Sequence, residues 1–187
     1  MGLGRCFFSL AILTKEVAAV FVIGVIAWLI LNRHFLLAFQ ISLISFIPPI
    51  IWGSIVSLWL GESPLNIYYA RMEILPFWGL QFIHISPAKA YIWIWVAFPA
   101  LVLGILSIWD IPKWKSSPDT LILLANVALV AFMPRFTWWN VGGALRVVMG
   151  LVLASYLYAS FTRPKLLPWF SAFWLTSGLI MLPALIH

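Results

Sequence analysis

The chain has 187 residues, 64% of them hydrophobic and 9% charged, and a mean hydropathy of +1.07. A soluble domain is about half apolar and a quarter charged, so the composition excludes a soluble globular fold and predicts an integral membrane protein. The net charge of +6 reports topology and contact with anionic lipid. It does not point to nucleic acid, because no soluble module carries a basic patch.

Cys6 is the single cysteine, which excludes an internal disulfide and any cysteine-built metal cluster. His34, His84 and His187 are far apart and lack ligand spacing, so neither a metal nor another cofactor is expected. Most of the 12 tryptophans flank apolar runs. That is the expected place for rings at the headgroup level, so aromatic content alone implies no pigment.

Residues 6 to 13 are too short to cross about 30 Å of hydrocarbon and read as the end of a longer span or a re-entrant turn. Thr14-Lys15-Glu16 interrupts, and Val17 to Leu31 then makes a short first helix. Phe35 to Leu60 is long enough to span with tilt, and Pro48-Pro49 predicts a kink within it. Residues 61–90 form the one sizeable loop, rich in proline, charge and aromatics. One or two short interfacial helices are expected there, with Arg71 and Glu73 as an ion pair.

Tyr91 to Trp109 is a clear span. Ser117-Pro118-Asp119-Thr120 is a helix start that Asp119 can cap, and it opens a short span from Thr120 to Met133. The stretch from Met133 to Gly150 is the most informative in the chain. Pro134, Arg135 and the Trp138-Trp139 pair mark a boundary, and Arg146 lies inside the apolar run that follows. A charge in a span costs a few kcal/mol on insertion scales and so faces protein, water or an anionic partner, unless it snorkels to the interface. Asn140 to Phe161 is the fifth span, and Leu166 to Ile186, interrupted by Pro183, is the sixth.

The expected fold is therefore an all-α polytopic transmembrane bundle of about six spans. It is a single domain over residues 1–187 with a long external loop over 61–90. Strands are not expected, because the apolar runs are continuous rather than alternating. Arg33, Lys113, Lys115, Arg163 and Lys165 crowd the turns after spans one, three and five, which assigns those turns to the cytoplasm, with Asp110 and Asp119 on the same side. Lys15, Glu16, Glu62, Arg71, Glu73, Lys89, Arg135 and Arg146 then gather at the external leaflet. Arginine forks and lysine point charges at one face are what an anionic headgroup requires.

Five segments carry a family resemblance. AILTKEVAAVFVIGVIAWLILNRHFLLA is similar to the Thr-Arg/Lys-Glu segment that opens a late-middle helix of polytopic bacterial glycosyltransferase-like proteins. LWLGESPLN and ILPFWGL resemble their next external segment, and LILLANVALVAFMPR and GGALRVVMGLVLASYLYAS resemble their last part. The chain thus resembles the GT-C superfamily, which includes protein mannosyltransferases and aminoarabinose transferases. The resemblance implies transfer of a sugar from a polyprenyl-phosphate donor at the external face of a bacterial inner (plasma) membrane. It places Lys15 near the donor phosphate. Arg135, Arg146 and Arg71 join it as substrate-binding candidates by position.

The family's catalytic acid lies in a first external loop that has no counterpart here. Glycosyl transfer needs a carboxylate base as well as stabilisation of the leaving phosphate. No catalytic residue is assigned, and the chain reads as a truncated or split module that binds the lipid-linked sugar and needs a partner subunit for chemistry. The alternative is a structural or accessory transmembrane subunit of a larger complex. A small transporter or channel ranks below both, for want of repeats and of a polar line through the span centres.

Overall fold

The computed structural model describes residues 17–61, 72–82, 90–113, 117–139 and 141–186. Its architecture is all-helical, with no strand among the described residues. The helices are α1 (Ala18–Leu31), α2 (Phe35–Leu60), α3 (Phe98–Trp109), α4 (Asp119–Ala131), α5 (Arg135–Trp139), α6 (Val141–Phe161) and α7 (Leu167–Ile186). Among the described residues three stretches are long and apolar enough to cross a membrane: Phe35–Trp59, Ala90–Trp109 and Gly143–Phe161. Ala18–Leu31 and Asp119–Ala131 are shorter apolar helices.

Local sequence explains the main boundaries. α1 ends in a tight turn in which Arg33 adopts a left-handed φ of 64°. The Arg33 and His34 amides donate to the Ile30 and Leu29 carbonyls at 3.0 and 2.8 Å, the two bonds of a Schellman cap. Glycine usually fills that position, so an arginine there carries some backbone strain. The Asn32 side-chain amide adds a bond to the Trp28 carbonyl at 3.0 Å. α2 stays helical through Pro48 and Pro49 and stops at Gly61, whose φ is 74°.

α3 is entered through a π-helical turn, Trp93–Ala97, where the Phe98 amide donates to the Trp93 carbonyl. Pro99 is the physical reason. Its ring would clash with the carbonyl four residues back, and widening the preceding turn accommodates it.

The core is built around α4, which packs on α1, α3 and α6. Leu123, Val130, Val96, Ala100, Leu151 and Ala154 are fully or nearly fully buried there. Close packing of helices needs small residues at the seams. Gly24 and Gly150 supply two of them. A Cβ at Gly24 would fall 2.6 Å from the Ile122 Cα, and one at Gly150 would fall 2.5 Å from Val17 Cγ1 and 2.7 Å from Asn126 Oδ1. These contacts also show that α1 runs antiparallel to α4, since Gly24 meets Ile122 while Val17 lies level with Asn126.

α2 is peripheral. It packs chiefly on α1, through a small cluster of Val22, Leu29, Ala38 and Ile41. Only 17% of its apolar window is buried, against 44% for the other two long stretches.

Candidate functional site

The up-and-down order of the helices gives the bundle two ends. Arg33, Asp110, Asp119, Arg163 and Lys165 lie at the first end. Gly61, Glu73 and Arg135 lie at the second. The sequence separates the same residues into the same two groups.

At the second end the described part of the 61–90 loop is docked rather than free. The Glu73 amide donates to the Phe132 carbonyl at 3.0 Å and the Phe77 amide to the Ala131 carbonyl at 2.6 Å. These bonds satisfy carbonyls left over at the end of α4. Trp138, fully buried, donates from its indole to the Met133 carbonyl at 3.1 Å, and Phe77 packs on its ring. A short 3-10 turn, Trp78–Phe82, completes this cap.

The four sequence-derived site residues fall as follows. Lys15 and Arg71 lie outside the described residues. Arg135 begins α5 and bonds Glu73 through Nε at 3.0 Å, with its side chain 47% exposed. The Glu73 carboxylate that the sequence pairs with Arg71 is thus held by Arg135. Arg146 is exposed on α6, on the same face as exposed Met149 and Leu153. That spacing puts it on a surface stripe, opposite the buried Ala144, Val148, Leu151 and Ala154. Among the described residues, Arg146 has no carboxylate partner.

The first end holds a buried polar network that the sequence did not single out. Asp110 has no exposed surface. Its carboxylate accepts two bonds from Arg163, Nε to Oδ2 at 2.7 Å and Nη2 to Oδ1 at 2.9 Å, and a third from the Tyr158 hydroxyl at 2.5 Å. A buried carboxylate needs such pairing to remain charged. Hydrogen bonding to Asp110, then attraction to its charge, pushes the Arg163 pKa further above the usual arginine value.

Asp119 is buried beside this network and accepts a 2.5 Å bond from the Thr162 hydroxyl. It is the first residue of α4, after Pro118, and makes no side-chain capping bond. The expected cap role therefore gives way to a link between α4 and the turn after α6. One signal for this network was legible. The two acids and the Thr162-Arg163 pair were assigned to neighbouring turns on one side, where opposite charges find one another.

The three described carboxylates each have a partner: Glu73 with Arg135, Asp110 with Arg163 and Tyr158, and Asp119 through Oδ2 with Thr162, its buried Oδ1 accepting no hydrogen bond among the described residues. Among the described residues no group of three or more His, Cys, Asp or Glu side chains is arranged to hold a metal. No protein-family model matches the chain, and neither a curated protein nor a solved structure shows significant similarity to it.

Proposed function

We propose that this chain is a glycosyltransferase-like membrane module of about six spans. In this reading it holds a polyprenyl phosphate, or its sugar conjugate, at the external face of a bacterial plasma membrane. The observation that carries the reading is the contrast between the two ends. Arg163 at the first end is neutralised by the buried Asp110, whereas near the second end Arg146 is exposed with no carboxylate partner among the described residues and Arg135, paired with Glu73, keeps a 47% exposed side chain. A guanidinium fork within reach of the interface suits the oxygens of a lipid phosphate.

The engagement of Glu73, Asp110 and Asp119 supports a binding role without chemistry of its own. The base that deprotonates an acceptor would come from a partner subunit. A structural role in a larger complex is the second reading. It is favoured by α2, whose exposed Phe39, Ile50, Trp52 and Ile55 form a broad apolar face.

Native mass spectrometry of the protein released gently from its source membrane separates the two. Co-eluting polyprenyl phosphate, or a polytopic chain with an acidic external loop, supports the binding module. Fixed stoichiometry with unrelated subunits and no such lipid supports the structural reading and ends the first.

A further inference from the structure

Between α3 and α7, on the half of the bundle nearer the first end, lies an apolar groove of about 270 Å³. Phe98 and Val102 form one wall, and Trp169, Phe173 and Trp174 form the other. The groove is preformed. Phe173 lies tilted against Trp95 and edge-on to Trp174, with ring centroids 4.8 and 5.0 Å apart, and the Trp174 indole donates to the Ser155 hydroxyl at 3.0 Å. The Phe173–Trp95 contact ties α7 to the turn that enters α3, and the Trp174–Ser155 bond ties α7 to α6. The 3-10 turn Pro164–Leu166 connects α6 to the start of α7 and packs on both.

We infer that this groove takes one acyl chain of an anionic phospholipid whose headgroup sits at Lys165. Size limits the occupant. At about 30 Å³ per water-sized group the groove holds roughly nine of them, part of an acyl chain.

Charge selects the headgroup. Lys165 is exposed, lies one turn before Trp169, and has no carboxylate partner among the described residues. Asp110 and Asp119, the described carboxylates at this end, are both turned inward and buried. Arg163 is already held by Asp110. Lys165 is therefore an exposed cation without a carboxylate partner among the described residues, one helical turn from the groove-lining Trp169 on the side of the first end. Trp169, 73% exposed, stands beside it as an interfacial ring would.

The site is at the opposite end of the bundle from Arg135 and Arg146 and does not depend on the polyprenyl-phosphate reading. The test uses the full chain in lipid nanodiscs doped with phosphatidylglycerol carrying a mid-chain diazirine, against the same label on phosphatidylcholine. Labelled peptides are mapped after photolysis.

The expected result is labelling concentrated on Phe98–Leu103 and Trp169–Trp174. Phosphatidylglycerol should be favoured about fivefold, the factor for one lysine at a membrane surface. Lys165→Gln should bring the two lipids level while labelling persists. Val102→Trp, which fills the groove, should abolish labelling there with either lipid, and Arg146→Leu should leave it unchanged. Equal labelling of the groove and of the exposed face of α2 would overturn the inference. So would an absence of headgroup preference in the wild-type chain, or cross-linking of the groove to a partner polypeptide.

Discussion

Arg163 grips Asp110 with both prongs of its guanidinium, joining the turn after α6 to the end of α3 across 53 residues of sequence. Tyr158, one turn before the end of α6, adds a third bond to the same carboxylate. The arrangement fixes the relative depth of α3 and α6, each of which packs on α4. Removing one partner of a buried pair leaves the other uncompensated, whereas removing both does not. Arg163→Leu should therefore lower the thermal midpoint in detergent more than the double variant Asp110→Asn/Arg163→Leu does. A double variant as unstable as the single one would show that the loss does not come from an uncompensated Asp110 carboxylate.

The Tyr158 hydroxyl is a separate element of this lock. Hydrogen bonds to charged groups contribute roughly 1.5–3 kcal/mol, and Tyr158→Phe removes the bond while keeping the buried ring. Reversible unfolding in mixed micelles should show a loss in that range with unchanged helix content. Essentially unchanged stability would mean that Arg163 alone satisfies Asp110.

Long apolar runs were legible in the sequence because a bilayer demands them. Phe35 to Leu60, Tyr91 to Trp109 and Asn140 to Phe161 each correspond to a helix long enough to span. What a run cannot reveal is which of its faces is covered, and here the reading of sites was thinnest. Asp119 read as a helix cap because Ser-Pro-Asp-Thr is a strong start signal, yet Thr162, distant in sequence, takes its carboxylate. The π turn before Pro99 left no periodicity to find, although the proline itself was the clue. Of the proposed site residues, Arg135 and Arg146 can be placed, and each owes its surroundings to a partner or a face that sequence spacing alone did not define.

Gly150 tests the packing of α6 on α1 and α4. A methyl group at this position meets Val17 Cγ1 at 2.5 Å and Asn126 Oδ1 at 2.7 Å, both closer than real Cβ contacts. Asn126 is tethered by its own amide to the Ile122 carbonyl at 2.9 Å, so its oxygen cannot easily turn away. Overpacking of this kind typically costs about 1–3 kcal/mol. Gly150→Ala should destabilise the bundle by that amount, whereas Gly178→Ala, where an added Cβ meets nothing within 4 Å, should not. Equal stabilities of the two variants would mean that α6 shifts freely against its neighbours.

The Glu73–Arg135 pair separates stability from binding. An ion pair with one partner 47% exposed contributes little, about 0–1 kcal/mol. Glu73→Gln should leave the thermal midpoint nearly unchanged and remove the ion pair between Glu73 and Arg135. If Arg135 serves an anionic lipid, loss of the pair should tighten retention of undecaprenyl phosphate in native mass spectra, while Arg135→Gln should weaken it. The same ordering of the two variants with undecaprenol, which lacks the phosphate, as probe would remove phosphate recognition from the explanation.

Arg146 offers the sharpest division between a ligand site and a topological device. Its face of α6 is shared with exposed Met149 and Leu153, and the buried face of that helix is complete without it. Nothing among the described residues packs its charge, so Arg146→Leu extends an apolar stripe and should not lower stability. Insertion should also survive, since removing a charge from a span makes transfer to lipid more favourable. Retention of undecaprenyl phosphate, by contrast, should fall with Arg146→Leu. It should be partly kept with Arg146→Lys, which retains the charge but loses the two-pronged geometry. Retention that is equal in the leucine variant and the wild type, together with altered loop accessibility to a membrane-impermeant label, would instead identify Arg146 as a residue that sets the depth and orientation of α6.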